Sequence, residues 1–146
     1  MSYMEANTRE RERLRALAGE LTDRELALGV GDGWTVAATL AHLAFWDYRV
    51  LLLLRHWRDA EVGRSPIDID GINDSMKPLC LAIPGREAAS LAVKAAEAVD
   101  AELARLPEDL MAEIGTLVQH GTLWPDRSIH RHWHLDQIER ALAESR

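Results

Sequence analysis

The chain has 146 residues, 17 basic and 24 acidic side chains for a formal charge of −7, and one cysteine. That length suits one domain over residues 1–146 with a single core, and a lone Cys80 leaves no disulfide framework and no multi-cysteine zinc cage. A net negative charge with no run of Lys or Arg argues against a nucleic-acid partner, because phosphate backbones call for basic patches.

In chain order, helical patterns dominate. The N-terminal MSYMEANTRERERLR has no apolar core of the signal-peptide kind, and from Thr8 onward Leu14, Leu17 and Leu21 recur at helical spacing. Thr22 and Glu25 read as a capping box that starts a short helical turn, and Gly29 with the Gly31-Asp32-Gly33 stretch reads as a loop. Thr35 is the expected cap of a long helix over residues 36–58, with Trp34 stapling back onto its first turn. That helix is apolar over most of its circumference, which predicts burial on more than one side. Its most apolar run, residues 50–54, is flanked by Asp47, Arg49, Arg55 and His56 and falls short of a membrane span. The expectation is a soluble cytoplasmic protein with no membrane partner.

Residues 59–67 read as a loop and 68–81 as a short helix that Pro84-Gly85 follows. Leu91, Ala95, Val99, Leu103 and Leu106 mark an Ala-rich helix ending at Pro107. A shorter helix is expected over 108–119, a turn over 121–125, and a last helix capped by Asp126 and running to Ser145. No segment alternates with the period of a strand. The fold class is therefore all-α, a four-helix bundle with short extra helices in the crossovers.

The last helix carries the chemistry. Wound at about 100° per residue from His130, His134 falls near 40°, Gln137 near 340° and Ile138 near 80°, whereas His132, Asp136 and Glu139 fall between about 180° and 240°. Asp136 and Glu139 belong in water, so His130, His134 and Gln137 face the core. Histidines four apart stack on one helix face and can converge on one ion, and an unpartnered imidazole there is costly. A third ligand should come from a facing helix, and His42, among Leu40, Leu43 and Phe45, is the best candidate. His56, His120 and His132 read as surface residues. Three neutral imidazoles leave coordination positions open, the pattern of a catalytic metal site. All-nitrogen ligation suits Zn, Ni, Cu, Fe or Mn, and the sequence does not choose among them.

Each residue also has a plainer reading. A buried histidine can be satisfied by a carbonyl or carboxylate, Trp46 and Trp133 read as core or staple residues, and Cys80 reads as a small buried hydrophobe. Asp47, Asp126 and Gln137 are candidates for holding the imidazole tautomers. Asp47 and Arg49 read either as groups near His42 or as a helix-surface pair.

The stretch GWTVAATLAHLAFWD and the C-terminal HRHWHLDQI together resemble the DinB-like superfamily, which includes the YfiT-like metal hydrolases and the mycothiol-dependent maleylpyruvate isomerase N-terminal domain. The similarity covers residues 9 to 142. It implies a four-helix bundle holding a divalent metal through His42, His130 and His134, with His134, Gln137 and Ile138 matching an HxxQI ending. It further implies a low-molecular-weight thiol cosubstrate such as mycothiol or bacillithiol, and a homodimer.

Three functions fit these residues. The first is a thiol-dependent S-transferase or isomerase acting on a small electrophile. The second is a metal-dependent hydrolase using metal-bound hydroxide. The third is a non-catalytic metal-binding or structural bundle.

Overall fold

The computed structural model describes residues 1–63, 65, 67–118 and 124–146, with the side chains of residues 117 and 118 left aside. The described residues form helices α1 (Tyr3–Glu20), α2 (Asp23–Leu26), α3 (Val36–Asp59), α4 (Ile69–Ala82), α5 (Gly85–Arg105), α6 (Glu108–Val118) and α7 (Ser128–Glu144), with short strands β1 (Gly29–Gly31) and β2 (Trp34–Thr35). The four long helices pack around one axis in the order α1, α5, α3, α7, and α4 lies against α3. The expected all-α bundle is what the chain forms. His120 and the turn at 121–123 lie outside the described residues.

Helix starts follow local chemistry. α1 begins five residues before the expected Thr8 because Ser2 closes a capping box: its Oγ accepts from the Glu5 amide at 3.2 Å and its own amide donates to Glu5 Oε2 at 2.8 Å. Thr22 and Glu25 form the second box as expected. Thr35 Oγ1 caps α3 by accepting from the Ala38 amide at 3.0 Å.

The loop expected around Gly31 is instead a tight antiparallel hairpin, pairing Gly29 with Thr35 and Gly31 with Trp34. Its turn places Gly31, Asp32 and Gly33 all at positive φ (112°, 52° and 77°), which glycine adopts freely and aspartate tolerates. Strands this short contain no alternation for a periodicity reading to find.

α3 is long and apolar enough to cross a membrane on composition alone, yet most of that stretch is buried inside the bundle. Its burial is incomplete, since Phe45 and Leu52 are exposed. The core has two apolar clusters. Leu14, Leu40, Leu43, Leu135 and Ile138 belong to the first, and Val50, Leu54, Trp57, Val99, Leu103 and Ile114 to the second.

Where the two clusters meet on α3, between Trp46 and Val50, stands a buried Asp47. Arg131 of α7, with no exposed surface, donates to Asp47 Oδ2 at 3.2 Å, to Asp100 Oδ1 and Oδ2 of α5 at 2.8 and 2.9 Å, and to the Asn7 carbonyl of α1 at 3.1 Å. One guanidinium thus ties all four long helices together. Arg127 takes the other Asp47 oxygen at 2.9 Å, and its amide donates to Asn7 Oδ1 at 2.7 Å. Arg11 of α1 also donates to Asp100 Oδ2, at 3.0 Å, so three arginines surround the two aspartates and each carboxylate has two cationic partners, which is the condition for tolerating buried charge.

Candidate metal centre

This layer sets the height and rotation of α7 against α3. Arg127 and Arg131 lie on either side of His130 in sequence, and Asp47 lies one turn beyond His42. With α7 fixed there, His130 and His134 face His42. The ring centroids form a near-equilateral triangle, 5.0 Å for His42 to His130, 4.7 Å for His42 to His134 and 4.8 Å for His130 to His134. One ring nitrogen from each lies within 4.8 Å of the others, close enough to hold a metal ion.

Burial pulls the His42 pKa from 6.5 down to about 4, with His134 adding to the shift. His130 is lowered further, again first by burial and then by His134 and Arg127. His134 is lowered by burial, against a hydrogen bond to Gln137 that favours its charged form. All three imidazoles are therefore neutral at pH 7, the state in which they offer lone pairs to a cation.

Gln137 decides which nitrogen His134 offers. Its Nε2 donates to the Val30 carbonyl of β1 at 3.3 Å, which turns its Oε1 toward His134 Nδ1 at 3.0 Å. An amide oxygen only accepts, so the His134 proton sits on Nδ1 and Nε2 is left with its lone pair. His42 Nε2 and His130 Nε2 face one another at 3.0 Å. Tetrahedral zinc with bonds of 2.0–2.1 Å separates its ligand atoms by about 3.3 Å, so this spacing suits two ligands of one ion. Among the described residues, His42 Nδ1 is buried without a hydrogen-bond partner. A proton on Nδ1 leaves His42 Nε2 with the lone pair that a cation takes. The donor set fits a divalent cation.

A model of the DinB superfamily matches residues 6–143. The chain belongs to the DinB superfamily. No curated protein and no solved structure matches it.

In this DinB superfamily member the histidines form the floor of a cleft of about 740 Å³ between the hairpin, α4, α7 and the segment that leads into α7. Trp34 stands edge-on to His42 at 5.5 Å rather than acting only as a helix staple. Trp46 is buried and donates from Nε1 to Asn73 Oδ1 at 3.0 Å, fastening α4 to α3 at the cleft wall. Trp133, expected in the core, is 68% exposed and lines the cleft. His56 and His132 are at the surface as expected.

Of the three candidates for holding imidazole tautomers, only Gln137 does so. Both Asp47 oxygens are taken by Arg127 and Arg131. Asp126, the expected cap, lies one position before the observed cap Arg127; it accepts from the Ser128 amide at 3.0 Å and from the Ser128 hydroxyl and so organises the start of α7. Arg49 donates to the Ser65 carbonyl and hydroxyl at 3.1 and 2.9 Å, tying α3 to the connection that follows it.

Sequence reading missed Arg131 and Arg127 and the cleft role of the tryptophans. The available signal for the latter was compositional, five tryptophans against one phenylalanine and two tyrosines.

Proposed function

We propose that this protein is a cytoplasmic metal-dependent S-transferase or isomerase in which His42, His130 and His134 hold one divalent ion, with zinc or nickel foremost. A low-molecular-weight thiol, mycothiol or bacillithiol in chemical type, enters as cosubstrate and gives its proton to solvent; its sulfur then bonds to a small electrophile as the electrophile's leaving group departs, or, in an isomerisation, adds and is later expelled. When bound, the ion supplies Lewis acidity that holds a thiol as thiolate at neutral pH.

The chain's own residues do the remaining work. Gln137 fixes the His134 tautomer, and the ionic layer holds α7 in register. Cys80 offers no rival nucleophile, because it is buried, its thiol is pushed up by that burial, and it does not line the cleft.

The observation that carries the reading is the convergence of three neutral imidazoles from α3 and α7, which leaves coordination positions of an ion open to a thiol. A thiol, with a pKa near 8.5, needs only charge stabilisation to ionise.

The test is a thermal-shift and turnover screen of the zinc- and nickel-loaded protein with mycothiol, bacillithiol, glutathione and coenzyme A, using 1-chloro-2,4-dinitrobenzene as electrophile. Stabilisation by one thiol together with loss of thiol absorbance and product formation supports the reading. Silence across thiols with turnover of a chromogenic ester overturns it in favour of the hydrolase, and silence in both favours the non-catalytic bundle.

A further inference from the structure

Four of the five tryptophans, Trp34, Trp46, Trp124 and Trp133, line the cleft above the histidines. Only Trp57 belongs to the second apolar cluster of the core. Trp133 and Trp124 are exposed at 68% and 39%, so their burial is not what holds the fold together. Indole faces in an open cleft are binding surfaces, and the quadrupole of an indole favours cations above other aromatics.

The charge of the cleft points the same way. Asp32, Asp70 and Asp74 line it, and none of these carboxylates forms a salt bridge among the described residues. Asp70 and Asp74 are one turn apart on α4 with Asn73 between them, and Asp32 is at the tip of the hairpin opposite. Arg127, the one lysine or arginine of the lining among the described residues, is engaged by Asp47 and by the Trp124 carbonyl. The chain itself already places an ammonium group at this rim. Lys77 Nζ lies 5.7 Å from the centre of the Trp34 ring and donates to the Asp32 carbonyl.

We infer that the upper cleft binds a cationic group, an alkylated or primary ammonium, of the small molecule whose other end reaches the histidines. The indoles of Trp124 and Trp133 supply the faces, and Asp70 and Asp74 supply the negative charge that an ammonium crossing from water requires. This deepens the enzymatic reading by naming a substrate class, and it rests on that reading only for what happens at the histidine floor.

The experiment is titration of intrinsic tryptophan fluorescence with choline and with its uncharged isostere 3,3-dimethyl-1-butanol, on the protein as purified and after zinc loading. Choline is expected to give saturable quenching at least about tenfold tighter than the isostere. The Asp70→Asn/Asp74→Asn double variant and Trp133→Leu are each expected to weaken choline by about three- to tenfold with unchanged circular dichroism. Both alter exposed residues, so folding is preserved. His130→Ala is expected to leave choline affinity within about twofold while removing the metal site, which separates failure of this inference from failure of the metal reading. Equal affinity for choline and the isostere, or no saturable quenching by choline in the folded protein, overturns the inference.

Discussion

Gln137 Oε1 accepts the Nδ1 proton of His134 at 3.0 Å, while the Gln137 amide nitrogen is held by the Val30 carbonyl. The hairpin thereby determines which lone pair α7 presents to an ion. Gln137→Leu keeps the side-chain volume and removes the acceptor. It is expected to lower zinc affinity by about 10- to 100-fold, with the fold unchanged, as measured by competition with a chromophoric chelator.

Arg131 carries a structural burden that a metal reading alone would not assign. Its guanidinium has no exposed surface and bonds Asp47, Asp100 and the Asn7 carbonyl. Arg131→Ala leaves Asp47 with Arg127 alone and Asp100 with the partly exposed Arg11 alone, and is expected to destabilise the protein by about 3 kcal/mol. At this chain length that is a fall in melting temperature of roughly 10 °C, read by circular dichroism, in metal-free protein as well as loaded protein.

The metal-free protein should lose stability on mild acidification. The His42 pKa is about 4 in the fold against an ordinary value of 6.5, so as pH falls through that window the unfolded chain takes up the proton first. Stability from this group is full above pH 6.5, declines down to about pH 4, and levels off below it. Melting temperatures of the apoprotein between pH 4 and 7 should show the slope, and His42→Asn should reduce it, the lowered His130 and His134 supplying the remainder.

Much of the bundle and the histidine triad is legible from sequence because both rest on helical phase. His130, His134 and Gln137 share a stripe that Asp136 and Glu139 define by opposition, and His42 stands among apolar neighbours. Arg131 was not legible in that way. It falls at about 100° from His130, beside Ile138 at about 80°, where a long charged side chain is ordinarily taken to reach solvent. Its burial depends on Asp100, Asp47 and Asn7 arriving from three other helices, and no local pattern encodes that meeting. The hairpin was hidden by brevity, and Trp133 by the general tendency of tryptophan to pack in cores.

Metal should act as a stabilising ligand of the folded state alone. Zinc at about 100 times its dissociation constant is expected to add about 2.7 kcal/mol to the wild-type protein and nothing to His134→Ala, a contrast visible in paired thermal-shift curves.

The central claim is that His42, His130 and His134 together hold one divalent ion. X-ray absorption on protein loaded with one equivalent of zinc, with metal content measured in parallel, tests it most directly. The expected spectrum has three imidazole nitrogens at about 2.0–2.1 Å with the remaining coordination open to added thiol, and metal content falls to background in His130→Ala. Zinc that fails to bind stoichiometrically, or a spectrum without imidazole scattering, would contradict the account.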